Sequence, residues 1–218
     1  MIHNENCLHT LNRDFTFDYA FLGPPDYSEI GLKPEDPQYF EFLTEVFNKL
    51  AHSCGLITVA LTDRKYDSRI ISKHYRIMKI FEEMGWYLIS HKIWHKSLKI
   101  NLFRLNYSNI MTFSNKKKVK QNHPKEYEYD VYLVPENKYK NFAFGFPVEI
   151  VKYHIENYTK ENNLVYDPFM GSGTTAIAAL ELNRRYLGSE IDKTTYELSL
   201  ERISEDRKST RLNSSHRL

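Results

Sequence analysis

The sequence predicts an α/β fold, a mostly parallel sheet with helices on both faces, and three observations predict it. Short apolar runs rich in β-branched or aromatic residues alternate with helical patterns along the chain. Two of those runs stop at strong turn signals, Gly23-Pro24-Pro25 and Gly171-Ser172-Gly173. The length of 218 residues suits one domain with a small insertion.

The elements follow in order. Residues 17–22 read as a buried strand closed by Gly-Pro-Pro. In 38–52, Tyr39, Phe42, Leu43, Val46, Phe47 and Leu50 share one helical face. Residues 56–61 form a β-branched strand opened by Gly55. A second helix carries Ile77, Ile80, Phe81 and Met84 and ends near Gly85. Strands are expected at 86–94 and 107–113. A helix with Val151, Ile155 and Tyr158 then leads to a strand at 163–166, and a glycine turn to a helix at 173–183. A strand at 186–191 and a last helix with Tyr196, Leu200 and Ile203 complete the set.

Composition excludes several classes. Hydrophobic residues at 41% and charged residues at 27% are ordinary for a soluble globular chain. No apolar run approaches the roughly 18–20 residues that span a bilayer, and residues 1–6 lack a signal-peptide pattern. The two cysteines, Cys7 and Cys54, lie far apart without CxxC spacing. That argues against a disulfide framework or a zinc site, suits a reducing cytoplasm, and puts neither thiol beside a plausible site. His91 and His95 share a strand face but have no third ligand in sight, so no metal is expected. Residues 206–218 look like a translated sequencing-library adapter and are set aside as non-native. Without them the formal charge falls from +2 to −1, so global basicity gives no sign of a nucleic-acid partner.

The chemistry concentrates in two turns. In Asp167-Pro168-Phe169-Met170-Gly171-Ser172-Gly173-Thr174-Thr175, the glycines allow close approach of a ligand to the main chain. The following helix N-terminus offers unpaired N–H groups and a partial positive charge. Asp167, at a strand end, can meet a ligand ammonium, and Glu190, ending the next strand, can accept from two ribose hydroxyls. The turn is neither GxGxxG nor a P-loop, so a ligand with an amino-acid end and a ribose fits better than a pyrophosphate.

This turn, with 186–191, resembles the cofactor half of the N6-adenine/N4-cytosine amino-methyltransferases of DNA modification. The resemblance implies a Rossmann-like S-adenosylmethionine-dependent methyltransferase sheet with S-adenosyl-L-methionine as cofactor. Asp167 would lie near its methionine end, Phe169, Met170, Gly171, Ser172, Gly173 and Thr174 would line the loop, and Glu190 would hold the ribose.

The second turn is Gly23-Pro24-Pro25-Asp26-Tyr27, also at a strand end. Two prolines fix φ and leave carbonyls on a rigid turn, which suits the hydrogens of an exocyclic amine. Tyr27 would stack on an extruded base or face the sulfonium. The family pattern is Asp, Asn or Ser, then Pro-Pro, then an aromatic. Here Gly23 takes the polar position and Asp26 the aromatic one, and Asp26 is a candidate substitute acceptor. Residues 4–11 and Phe146-Pro147-Val148-Glu149 fall in family order, which matches the permuted subgroup with the catalytic turn first and the cofactor loop last.

Residues 92–125 carry nine Lys/Arg and no Asp or Glu. Lys96, Lys99, Arg104, Lys116, Lys117, Lys118 and Lys120 are the candidate phosphate contacts, with Trp94, Phe103, Asn106 and Tyr107 interleaved. A solvated basic loop is the plainer alternative. In the permuted family this interval holds target recognition, so 96–140 is expected as an insertion in a methyltransferase domain of 1–205. The resemblance implies double-stranded DNA and a cognate restriction endonuclease as partners, no membrane, and the cytoplasm of a bacterium, host- or bacteriophage-encoded. Adenine N6 and cytosine N4 stay open, as do a cofactor-binding pseudoenzyme and an RNA amino-methyltransferase. Neither cysteine follows a proline, which disfavours C5-cytosine chemistry.

Overall fold

The computed structural model describes residues 1–13, 15–96, 105–122, 130–135, 142 and 145–215, with 210–215 as backbone only. The chain runs through β1 (Ile2–Asn4), α1 (Cys7–Leu11), β2 (Tyr19–Leu22), a 3-10 turn (Tyr27–Ile30), α2 (Pro37–Ser53) and β3 (Leu56–Leu61). It continues with β4 (Arg64–Tyr66), β5 (Arg69–Ile71), α3 (Lys73–Glu83), β6 (Tyr87–His95), β7 (Tyr107–Ser114) and β8 (Val131–Tyr132). The last elements are α4 (Val148–Tyr158), β9 (Leu164–Asp167), α5 (Thr174–Glu181), β10 (Arg185–Glu190) and α6 (Lys193–Ser215).

Eight strands form one sheet in the order β1-β10-β9-β2-β3-β7-β6-β8. Among the described residues, β7 alone in this sheet runs against its neighbours, β3 and β6. β4 and β5 form a separate hairpin. Side chains of alternate strand residues face opposite ways. Ala20, Leu22, Ile57, Val59 and Tyr166 meet α1, α2 and α3 on one face. Tyr19, Phe21, Ala60 and Val165 meet α4 and α5 on the other. The predicted mostly parallel, Rossmann-like sheet with helices on both faces is the fold observed.

Local chemistry accounts for the elements. Asp36 caps α2, its carboxylate accepting from Gln38 N at 3.0 Å, and Pro37 takes the first helical turn, where its missing N–H costs nothing. Tyr39, Leu43, Val46, Phe47 and Leu50 then bury completely along one stripe. α3 ends at Gly85, whose φ of 75° suits a glycine.

The boundary between β9 and β2 positions the site. From β9 the chain turns through α5 on one face towards β10, and from β2 through α2 on the other face towards β3. Connections leaving in opposite directions open a crevice at the carboxyl ends of the two strands.

Within 96–140, the strand expected at 107–113 is present, but it belongs to the main sheet rather than to an insertion. Tyr107–Ser114 is a full sheet strand between β3 and β6, with Leu61 beside Asn109 and Leu56 beside Ser114. A strand hydrogen-bonded to neighbours on both sides and buried along nearly its whole length is part of the main sheet, not an insertion into it. Lys99, Arg104, Phe103 and Lys125 lie outside the described residues.

Candidate functional site

β2 and β9 are parallel neighbours, with Ala20 beside Tyr166, so Gly23-Pro24-Pro25 and the turn after Asp167 leave the sheet at adjacent points. Both line one cleft of about 1260 Å³. Single small-molecule sites are commonly ~300–1,000 Å³, so two ligands fit side by side.

The glycine turn is braced from several sides. Gly171 and Gly173 have φ of 50° and 77°, a region L side chains avoid. A Cβ on Gly173 would also stand 2.9 Å from Ile203 Cδ1 of α6. Asp167 is buried, and its two oxygens accept from Phe169 N at 3.0 Å and Thr175 Oγ1 at 2.6 Å. Burial pushes its pKa up to about 7, against the pull of those hydrogen bonds, and the Glu190 charge adds to the rise. Glu190 Oε2 accepts from Gly171 N at 2.9 Å and Oε1 from Asp192 N at 3.0 Å, which ties the strand end to the loop. A carboxylate offers about four acceptor positions, so room remains for hydroxyl donors. Arg202 of α6 donates to Ser172 O at 2.7 Å and Thr174 Oγ1 at 3.0 Å.

All eight predicted cofactor residues belong to this turn or to its neighbouring strand end, and Asp167, Phe169, Met170, Gly171, Ser172, Thr174 and Glu190 line the cleft. Sequence reasoning missed Thr175 and Arg202. The first was legible as the next residue of the motif, while the second sits on a distant helix and left no local signal. Residues 4–7 join the same edge: Asn4 pairs with Glu190 in the β1–β10 ladder, and Glu5, Asn6 and Cys7 line the cleft. Cys7 thus adjoins the site, contrary to expectation, because β1 adds to the sheet beside β10. Burial pushes its thiol up to about 12, so it stays protonated and a poor nucleophile.

The Pro-Pro turn is arranged differently from expectation. Gly23, Pro24, Pro25 and Asp26 line the cleft. Tyr27 does not face it: the residue is 1% exposed, its ring lies 4.1 Å from that of Tyr39, and stacking on a ligand is closed to it. The cause is local. Asp26 caps the 3-10 turn, its Oδ1 accepting from Tyr27 N at 2.8 Å, and the turn winds Tyr27 inward. Tyr39 Oη donates to Pro25 O at 2.8 Å, which occupies one of the two proline carbonyls. Among the described residues no donor reaches the Pro24 carbonyl.

Asp26 is also held by cations, Arg64 at 3.2 Å and Lys73 at 3.4 Å. Lys73 is buried, lies over the rings of Tyr27 and Tyr39, and has its pKa lowered by desolvation, with Asp26 opposing that shift. An aspartate so engaged is first of all a fold-holding group. Neither cation was foreseen, because nothing near Lys73 in sequence marks it as buried.

Across the cleft stand aromatic residues. Phe146 meets Phe21 edge-on at 6.2 Å and Trp94 at 5.2 Å, and Trp94 Nε1 donates to Val134 O at 2.7 Å. A Cβ on Gly23 would stand 3.0 Å from Phe146 Cε2, so a side chain there would press the ring aside. Lys96, Leu105 and Asn106 line the cleft beside them, and Lys96 Nζ donates to Thr62 Oγ1 at 2.7 Å.

Of the predicted phosphate contacts, Lys96 is therefore at the cleft. Lys116, Lys118 and Lys120 line a separate hollow of about 280 Å³ with Asp18, Gly55 and Leu56, and Lys117 lies in the same segment. Asp18 and Gly55 precede β2 and β3, so those lysines sit at the amino ends of these strands, across the sheet from the cleft. The antiparallel run of β7 carries the chain there. His91 bonds Asn109 and His95 bonds Asn106, and no group of three metal-ligating side chains occurs among the described residues.

A model of the N6/N4 DNA methylase family matches residues 12–201. The chain is similar to the orphan methyltransferase M.BamHII of Bacillus amyloliquefaciens, 37% identical over 94 residues, 38% of this chain and 36% of that one. It is similar to the type II methyltransferase M.MjaI of Methanocaldococcus jannaschii, 29% identical over 168 residues, 62% of this chain and 55% of that one. The matched stretches thus span about a third to a half of these curated relatives. Among solved structures, the cytosine-N4-specific PvuII DNA methyltransferase superposes with a TM-score of 0.77 at 15% identity, covering 94% of this chain and 90% of that one.

Proposed function

Since this chain belongs to the N6/N4 DNA methylase family, we propose that it methylates an exocyclic amino nitrogen of adenine or cytosine in double-stranded DNA, with S-adenosyl-L-methionine as donor. One observation carries the reading: β2 and β9 are adjacent, so the Pro-Pro turn and the glycine turn open into one cleft.

The donor set fits that cofactor. Asp167 offers a carboxylate to an ammonium, Glu190 has lone pairs for ribose hydroxyls, and Phe169, Met170 and Ile191 supply apolar walls. The cofactor, when bound, supplies a methyl on a positively charged sulfur. Pro24 presents its carbonyl oxygen to an amino hydrogen of the target base. This would draw the nitrogen lone pair out of conjugation, an effect that grows towards the transition state, as the new N–C bond forms and the methyl–sulfur bond breaks, with the sulfur leaving as a neutral thioether and the surplus amino proton passing to solvent. Phe146 gives an apolar face for an extruded base, the role the inward-turned Tyr27 leaves vacant, while the buried Trp94 packs behind it. Lys96 brings positive charge to the same edge.

Gly23 favours a second reading, a binding module without turnover, because the family's polar side chain is missing there. One experiment separates them. The protein is incubated with cofactor labelled in its methyl group and unmethylated duplex DNA of mixed sequence, and the DNA is digested to nucleosides. Label in N6-methyladenine or N4-methylcytosine is expected and names the base. Cofactor and DNA binding with no label transferred would replace the enzyme with the binding module, and in a parallel incubation that adds structured RNA, label in RNA alone would redirect the substrate. The same reading takes 1–205 as the catalytic domain, 206–218 as an adapter-derived tail, a restriction endonuclease as cognate companion, and the bacterial cytoplasm as location. No helix among the described residues is long and apolar enough to cross a membrane.

A further inference from the structure

Resting on that reading, we propose that the β4–β5 hairpin is the element by which this chain grips duplex DNA beside the extruded nucleotide.

The hairpin leaves the carboxyl end of β3, next to the Pro-Pro turn, and its root is fixed. Asp63 is buried and accepts from His74 N at 3.1 Å, Arg64 is ion-paired to Asp26, and Ile71 packs in the core. Arg64 and Lys65 line the cleft. Beyond the root, residues 66–70 are all exposed, and they include two large apolar side chains, Tyr66 at 40% and Ile70 at 53%. Ladder partners share a face, so Ile70 stands on the side of Lys65, and Tyr66 on the side of Arg69.

The tip is stiff. Asp67 and Ser68 have φ of 49° and 60°, the two-residue hairpin turn with both central residues left-handed, whose twist matches the strands. A short two-stranded ribbon of this kind fits the major groove of B-DNA. Charge agrees with the partner: residues 63–79 hold six Lys/Arg against two acids, in a chain that is near neutral without its tail. The Arg69–Glu35 pair at 3.2 Å is solvated on both sides, so Arg69 can exchange a carboxylate for a phosphate at little cost. Exposed tyrosine and isoleucine, set among cations at the mouth of the cleft, suit sugar and base edges next to the gap that an extruded base leaves.

The test compares wild type, Tyr66→Ser/Ile70→Ser and Arg69→Ala on the full chain. Affinity for unmethylated mixed-sequence duplex DNA is read by fluorescence anisotropy over a salt series. Cofactor affinity and thermal melting serve as controls for folding. Tyr66→Ser/Ile70→Ser is expected to weaken DNA binding about tenfold or more with cofactor affinity unchanged. Arg69→Ala is expected to lower the slope of log K against log salt by about one. DNA affinity and salt slope equal to wild type in both variants would overturn the proposal, and label transfer by wild type would leave the methyltransferase reading standing. A wild type that binds no duplex would end both. Sedimentation adds the competing occupant: a dimer abolished by Tyr66→Ser/Ile70→Ser, with DNA affinity intact, would assign the hairpin to self-association and overturn the DNA contact.

Discussion

The ring of Phe146 occupies the space that a side chain on Gly23 would need, with Cε2 3.0 Å from the position of a Cβ. The missing polar group of the Pro-Pro turn and the aromatic wall of the cleft are therefore one feature. Gly23→Asn should cost about 1–3 kcal/mol of stability through overpacking. In a Phe146→Ala background the same substitution should cost less than half as much. Urea denaturation of the four proteins of the cycle measures the coupling, and equal costs in both backgrounds would break the link.

Asp167 should make cofactor binding depend on pH. Its folded pKa of about 7 stands above the ordinary carboxylate value. The stability contributed by its protonated form is fully present below the unfolded pKa of about 4 and is lost as pH rises through about 7. A ligand ammonium needs the ionised form. Affinity for S-adenosylmethionine should therefore climb about tenfold per pH unit below pH 7 and then level, with proton release on binding. Calorimetry between pH 5.5 and 7.5 in buffers of different ionisation heat reads both. A flat wild-type profile, or a slope retained in Asp167→Asn, would contradict the assignment.

Asp26 should matter to the fold before the chemistry. Asp26→Ala removes a cap, worth about 1 kcal/mol, and leaves the buried Lys73 ammonium with one counter-charge fewer. We expect a total near 2 kcal/mol, discounted because Asp26 itself is partly solvated. In a Lys73→Met background, Asp26→Ala should cost only the cap and the small contribution of the partly solvated Arg64 pair. Chemical denaturation distinguishes the two, and a cost unchanged by Lys73→Met would show that the ion pair is inert.

Glu190 should act on the loop as well as on the ligand. Glu190→Ala frees the N–H groups of Gly171 and Asp192, and cofactor affinity should fall about tenfold or more. Glu190→Gln keeps an acceptor and should fall less. Faster amide exchange at Gly171 in Glu190→Ala, measured without cofactor, isolates the loop effect from any lost ribose contact. Wild-type exchange there would confine Glu190 to the ligand.

The parts of this molecule legible in sequence are those set by short-range rules. Gly-Pro-Pro and Gly-Ser-Gly mark strand ends because φ and missing N–H groups act within a few residues, and the stripes on α2 and α3 follow from helical spacing alone. Strand direction is not local. Residues 107–113 read as a strand, but nothing in them says that β7 is antiparallel, and direction decides that Lys116 and its neighbours emerge at the end of the sheet remote from the cleft. Tyr27 misled for a related reason: its position suggests a ligand face, but Asp26 as a cap rotates it into the core. β1 and the β4–β5 hairpin escaped because strands of three residues leave too little periodicity to read.

The junction of β2 with β9 joins segments some 146 residues apart, as the bond from Leu164 N to Asp18 Oδ2 records. During synthesis the first strand is out on its own long before its partner leaves the ribosome. Until then a wholly apolar row, Tyr19-Ala20-Phe21-Leu22, keeps an open hydrogen-bonding edge. Nascent chains should thus be chaperone clients and prone to aggregate until β9 is translated, and the cleft should be the last part of the sheet to close.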